Sequence, residues 1–344
     1  MPVRPRRVST ALVLLLALMP ACSSVTPQPE VAARVAQVSE DRLRAHVEAL
    51  CAIGPRPADD AAQTERTLAY LEGELRAMGY APFREPFELE LFRGDRKRTA
   101  DGGWVMTGGA LERATLHNLI VELPGHEHPE EVVEICAHYD TVFTSPGADD
   151  NSSGVAGLLE VARVVRDAQP RRTLRFCLFA AEELDLDGSR AHLATLSAED
   201  REHFVALIDL EMIGYADARP GTQTMPVWLP LIGFPDTADF VAVLGTFSTG
   251  WLGAFYEDAI DAYVPELDYW SGNRIGGFFA DARRSDHAHY WDAGLPAIMV
   301  SDTSEFRNDH YHRASDLPET LDYGFLRQVT QATVAAALHL ADDR

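Results

Sequence analysis

A single α/β domain, built on a mostly parallel mixed β-sheet with helices on both faces, is the fold that the sequence predicts. Three observations carry it. Apolar, strand-like runs alternate with segments of helical periodicity at crossover lengths that suit parallel strands. The runs at 131–137, 174–183 and 206–215 lead into or contain His, Asp or Glu, as strands do whose ends open on a ligand crevice. No internal repeat or Pro/Gly-rich linker divides the 344 residues, 46% of them apolar.

The chain begins with Arg4, Arg6 and Arg7, an apolar run over 11–19, then Pro20, Ala21 and Cys22. This is the pattern of a signal peptide over 1–21, too short to span a membrane as a helix. A Cys directly after a small residue resembles a bacterial lipoprotein signal, which implies acylation of Cys22. The expected location is the bacterial cell envelope, lipid-anchored at the outer membrane or periplasmic face, with plain secretion as the alternative. Residues 22–38 then form the acylated Cys and a flexible tether containing Pro27 and Pro29, and 39–344 form the folded domain.

A helix is expected after Ser39, which can cap it, with Leu43, Val47 and Leu50 at helical spacing and a stop before Gly54-Pro55-Arg56-Pro57. A second runs from Asp60 to Met78, with Leu68, Leu71, Leu75 and Met78 on one stripe. Residues 88–92 alternate like a strand, and the basic run 93–98 before a Gly-rich turn reads as a solvated hairpin tip. Strands follow at 117–125 and 131–137. Val155, Leu158, Leu159, Ala162 and Val165 then mark a helix in which Gly157 permits close approach to the sheet. Further strands are read at 174–183, 206–215 and 295–300, a helix at 235–248 and a closing helix at 321–340. Residues 251–282, aromatic and Gly-rich with no clean period, are read as a pocket wall or lid, or as an ordinary packed excursion.

A formal charge of −23 argues against nucleic acid and anionic lipid as partners, leaving Cys22 as the one membrane contact. The four cysteines include no CxxC pair, so neither a disulfide framework nor a Cys-type zinc site is expected. Cys136 and Cys177 fall in core strands as small hydrophobes.

The chemistry lies at the strand ends. The run 131–137 delivers His138 and Asp140, two residues apart and so on one side of an extended chain. A neutral imidazole is a zinc ligand and a nearby carboxylate fixes its tautomer. After a Pro/Gly turn come Asp149 and Asp150, then Glu182 and Glu183 end the next run, and Asp209 and Glu211 sit in an apolar third. Burying so many carboxylates without partners would cost several kcal/mol each, and a multivalent cation is the simplest common explanation.

From Ser39 onward these residues resemble the zinc-dependent exopeptidase family of secreted bacterial leucyl aminopeptidases and aminopeptidase Y, with glutamate carboxypeptidase and glutaminyl cyclase as relatives. Five separated pieces appear in the family's order: His138-x-Asp140, PGADDNSSG, AAEE, Leu210-Glu211-Met212 and NDHYHRASD. The resemblance implies a three-layer sandwich fold holding two Zn2+ per chain, with His138, Asp150, Glu183, Glu211 and His312 as ligands and Asp150 bridging. It implies Glu182 as general base, Asp140 as support for His138, and a cis peptide at Asp150-Asn151; Asp209, two residues before Glu211 and on the same face of an extended chain, is the fallback for that ligand. Ser285, Asp286 and His287 match a further motif with a supporting role, and Asp316 marks the last ligand segment. Such a set leaves a position shared between the metals for a water, with Glu182 moving its proton to the leaving amine. The implied activity is removal of N-terminal residues from peptide substrates. A one-zinc glutaminyl cyclase and a non-catalytic binding protein remain open, and the side-chain preference and oligomeric state are silent.

Overall fold

The computed structural model describes residues 25–99, 104–224 and 234–342. Both the leader at 1–21 and Cys22 lie outside the described residues. The tether expected over 22–38 is shorter than its prolines suggest. Pro29 opens helix α1 (Pro29–Val35), a position where its missing N–H costs nothing, and Val31 and Val35 are buried.

Helix α2 (Glu40–Ile53) starts as the sequence says, with Ser39 Oγ accepting from Arg42 N, and α3 (Ala61–Ala77) is capped by Asp60. A long hairpin follows, β1 (Phe83–Arg98) and β2 (Trp104–Leu123), much longer than the 88–92 strand expected. Only the last residues of β2, from Leu119, pair with the next strand inward, so the outer part of the hairpin projects beyond the sheet. Strand β3 (His128–His138) leads to α4 (Ser152–Val165), then β4 (Arg172–Phe179). Three short helices, α5 (Glu182–Asp185), α6 (Asp187–Thr195) and α7 (Ala198–Glu202), precede β5 (Phe204–Glu211).

Strands β6 (Asp217–Pro220) and β7 (Thr237–Ala238) form a small separate ladder, and β8 (Phe240–Leu244) rejoins the main sheet. Here the expectation of a helix over 235–248 fails. A short apolar run cannot be told from a helix by periodicity alone, and FVAVL alternates its burial between two clusters, Phe240, Ala242 and Leu244 against Val241 and Val243. Residues 251–282 are also more regular than expected: helix α8 (Gly250–Tyr263) and strand β9 (Asp268–Gly272) precede two 3-10 turns. Gly250 and Gly253 hide the helix in the sequence. A Cβ at Gly253 would lie 2.2 Å from that of Asn273, so close packing on the loop after β9 demands the glycine. Helix α9 (His287–Asp292), β10 (Ala297–Ser301) and α10 (Tyr323–Asp342) complete the chain.

The eight-stranded sheet has the order β1-β2-β4-β3-β5-β10-β8-β9. Its centre, β4-β3-β5-β10, is parallel, and antiparallel pairs flank it. Alternate residues feed two layers. Val133, Ile135, Leu174, Phe176 and Ile208 face a cluster with α2, α3, α4, α8 and α10, whereas Cys136, Cys177, Phe179 and Leu207 face one with Leu193 and Tyr290. The parallel strands therefore all present their carboxyl ends at one edge. Gly157 lets α4 close on that edge, because a Cβ there would sit 3.0 Å from Ile213 and 3.3 Å from Thr330.

A buried polar network fastens the second layer. His192 reaches Glu85 at 3.1 Å and Glu134 at 3.2 Å, and Glu134 also accepts from Arg175 at 2.8 Å and Tyr290 at 2.7 Å. With Cys177 it forms a compact donor group, but Arg175 already supplies the cation. Burial disfavours the charged forms, yet the partners win: His192 is raised from 6.5 to about 9 and Glu134 lowered from 4.5 to about 2. The histidine's contribution is complete below pH 6.5 and is lost as pH rises through about 9; that of Glu134 is complete above pH 4.5 and is lost as pH falls through about 2. Urea unfolding of wild type and His192→Gln should differ most between these windows, near pH 5 to 6. The gap should shrink by up to about 3 kcal/mol by pH 10.

Candidate metal centre

Cys136 of β3 pairs with Asp209 of β5, so two residues on, His138 and Glu211 reach the carboxyl edge side by side. Glu182 and Glu183 stand next to them, although not as strand-end residues: β4 stops at Phe179, and the two acids open the one-turn α5. That turn lets Asp140 hold it, its two oxygens accepting from Glu182 N at 3.2 Å and Glu183 N at 3.3 Å. Asp150 comes from the turn before α4 and His312 from the loop before α10. The peptide between Asp150 and Asn151 is cis, as the resemblance implied.

Asp150 lies between the two histidines. One carboxylate oxygen is 3.3 Å from His138 Nε2 and the other 3.1 Å from His312 Nε2. Around His138 stand Glu211 at 3.4 Å and Glu182 at 3.8 Å, and around His312 stands Glu183 at 3.1 Å. Two compact donor groups result, His138 with Glu182 and Glu211, and His312 with Asp150 and Glu183. Asp150 completes the first group better than Glu182, because it is nearer and its second oxygen already serves the other histidine.

Both His138 Nε2 and His312 Nε2 are buried without a hydrogen-bond partner. His138 Nδ1 faces the Asp140 carbonyl at 3.2 Å, and a proton there leaves Nε2 as a lone pair aimed at the acids. Burial pushes the Glu182 carboxyl well above its usual range and Glu183 to about 7, neighbouring acids adding to both shifts. Burial alone would lower the histidines. The surrounding acids outweigh it, raising His138 well above 6.5 and His312 to about 10. Such crowding calls for positive charge, and two imidazoles with four carboxylates suit zinc well.

The backbone is bent to aim these groups. Ala181, Met212 and His312 are non-glycine residues with φ of 57°, 48° and 58°, and each is a donor or adjoins one. Such conformations cost about 1 to 3 kcal/mol each and persist where the surroundings enforce them. Asn151 is one enforcer, its Oδ1 accepting from Gly154 N and Met212 N and its Nδ2 donating to Leu210 O.

Other expected positions find different partners. Asp209 binds His287 Nδ1 at 2.8 Å and lies outside both donor groups, so the fallback for Glu211 is not taken up. Ser285 donates to Glu211 at 2.8 Å, while both Asp286 oxygens are buried without a hydrogen-bond partner. Asp316 does not meet His312; it accepts from the backbone N–H of Asp149 and Asp150 at 2.9 and 3.2 Å. Tyr311 stacks on His312, ring centroids 3.8 Å apart.

Arg56 is a positioning residue that the sequence reading passed over. Fully buried, it donates to the carbonyls of Leu50, Tyr139 and Pro146 and to Ser152 Oγ, tying the His138 loop to the end of α2 and the start of α4. Its partners are mostly backbone atoms distant in sequence; the one local signal was an Arg set between two prolines. Arg56→Met should orphan these acceptors, at about 1 to 3 kcal/mol for each left unsatisfied. A urea-unfolding loss below 1 kcal/mol would contradict that role.

Beside the donor groups opens a cavity of about 350 Å3, lined by Asp150, Glu182, Glu183 and Glu211 at one end and by Phe234, Leu244, Trp270, Phe279 and Met299 elsewhere. The later part of 251–282 is thus a pocket wall.

A family model described as Peptidase family M28 matches residues 118–233. An uncharacterized protein, YfbL of Escherichia coli K12, is 31% identical over 300 residues, 82% of each chain. Aminopeptidase YwaD of Bacillus subtilis 168 is 37% identical over 244 residues, which span 66% of this chain but 45% of YwaD. Among solved structures, BSAP, a zinc aminopeptidase from Bacillus subtilis, superposes with a TM-score of 0.70 at 19% identity, covering 89% of this chain and 96% of that one.

Proposed function

Because the chain belongs to peptidase family M28 and is by that kinship a zinc-dependent aminopeptidase, we propose that it removes N-terminal residues from peptides at a two-zinc centre with Glu182 as general base. The observation that carries this reading is the placement of Asp150 between two unpartnered histidine nitrogens, each with further carboxylates beside it.

His138, Glu211 and Asp150 would hold one ion and His312, Glu183 and Asp150 the other. Zinc bound there would supply Lewis acidity to the scissile carbonyl and acidify a water. The chain's own residues supply the rest. Asp140 fixes the His138 tautomer and, through two backbone N–H groups, the direction of Glu182 and Glu183. Glu182, in its buried setting, takes a proton from water and returns it to the leaving amine. Ser285 holds Glu211 against rotation. The apolar cavity beside the carboxylates shelters the N-terminal side chain from water.

A panel of aminoacyl amides, N-acetylated peptides and Gln-peptides, run on metal-depleted protein with and without added zinc, tests the reading. Zinc-dependent cleavage only of substrates with a free amino end is expected. Ring closure of Gln-peptides without hydrolysis would overturn it in favour of a cyclase.

The envelope location stays part of this proposal. Cys22→Ser should shift the protein from the membrane to the soluble fraction, and unchanged fractionation together with a free N-terminus at another residue would point to plain secretion. No helix among the described residues is long and apolar enough to cross a membrane.

A further inference from the structure

Two features have no role in the hydrolytic site: the basic run 93–98, and the large apolar side chains of Phe92 and Leu184, which are 45% and 51% exposed. The fold brings them together. Phe92, Leu184 and, from the basic run, Arg96 border a groove of about 510 Å3 between the outer part of β1 and residues 140–144. Arg96 does not stand free as a hairpin tip residue should. It forms an ion pair with Asp59, and its guanidinium lies 4.5 Å from the centre of the Phe143 ring, which pins the hairpin over this loop. The pairing cancels the charge of both groups. Asp187, also on the wall, is paired with Arg190.

What remains of the lining is apolar at Leu89, Leu91, Phe92, Val142, Phe143 and Leu184 and polar at Glu90, Thr141 and Thr144. Glu183 lines this groove and also the 350 Å3 cavity, so the donor groups stand where the two spaces meet. Val142, in the groove wall, donates its N–H to Glu183 at 3.0 Å. A peptide laid across the centre with its first side chain in one space has the other open to the residue that follows.

Resting on the aminopeptidase reading, we propose that this groove receives the residue after the scissile bond and selects a large apolar side chain there. Apolar side chains gathered along a concave wall are the usual lining of a ligand site, and a buried aromatic or leucyl group would cover Phe92 and Leu184, the two that stand exposed. The volume accommodates such a side chain together with its backbone.

Hydrolysis of a series with the N-terminal residue held constant tests this: the simple aminoacyl amide, and dipeptide amides with Gly, Glu, Leu or Phe in second place. Wild-type kcat/KM should be at least about tenfold higher for Leu and Phe than for Gly or Glu, the discrimination an apolar pocket gives. Phe92→Ser should bring the Phe-to-Gly ratio close to one while leaving the simple amide, which reaches no groove atom, at its wild-type rate. Phe143→Ala should lower the same ratio. A flat wild-type profile, or an unchanged ratio in both variants with zinc content and circular dichroism intact, would overturn the inference. Failure of zinc-loaded wild type to cleave even the simple amide would sink the underlying peptidase reading instead.

Discussion

Glu182→Gln is expected to lower kcat by about 10²-fold to 10⁴-fold, the usual cost of losing a general base, with zinc content and competitive-inhibitor affinity near wild type. The amide keeps the size and most of the hydrogen bonding of the carboxylate but cannot accept the proton. Geometry separates the two neighbouring acids. Glu183 sits 3.1 Å from His312 Nε2 and accepts from Val142 N, whereas Glu182 stands 3.8 Å from His138 Nε2, the outermost carboxylate of its group. Glu183→Gln should therefore lose metal where Glu182→Gln keeps it. Metal analysis beside steady-state kinetics on both variants checks the assignment: the opposite pattern would exchange the two roles, and near-normal turnover by Glu182→Gln would refute the mechanism.

Asp150→Ala should have an effect at least as large, by a different route. Its two oxygens face different histidines at 3.3 and 3.1 Å, so one substitution should weaken both proposed ion sites together. Supporting partners of ligands cost about 10-fold to 100-fold in metal affinity when removed, and a ligand shared by two sites should exceed that at each. Zinc titration should show both equilibria weakened by more than about 100-fold and activity lost in parallel. Loss of one ion with the other held at wild-type affinity would show that Asp150 serves a single site. Asp316, which accepts from the Asp150 backbone N–H, should give a milder version of the same defect as Asp316→Asn.

The fold was legible where side-chain alternation and burial agree. Strands β3, β4 and β5 are apolar on both faces because helices cover both, and His138 at the end of β3, Glu211 at the end of β5 and the acids that open α5 just beyond β4 stand out against that background. The six residues His138, Asp150, Glu182, Glu183, Glu211 and His312 meet at one edge because the parallel strands, the turns before α4 and α5, and the loop before α10 all lead there. Illegibility had physical causes as well. In β8, five apolar residues suited helix or strand equally, and only neighbours on both sides decided for the strand. Helix α8 was masked by glycines whose purpose is close packing against residues that follow it. Asp316 could be placed in the motif but not given its partners, because those are backbone N–H groups more than 160 residues away. Arg96 read as a surface residue, since nothing local announces Asp59 and Phe143.

The joining of two zinc ions by Asp150 is tested most directly with a crystal of the zinc-loaded protein measured on both sides of the zinc absorption edge. Two anomalous peaks are expected, one against His138 and Glu211, the other against His312 and Glu183, each in contact with a different oxygen of Asp150. A single peak in fully active crystals, or two peaks with Asp150 touching only one, would contradict it.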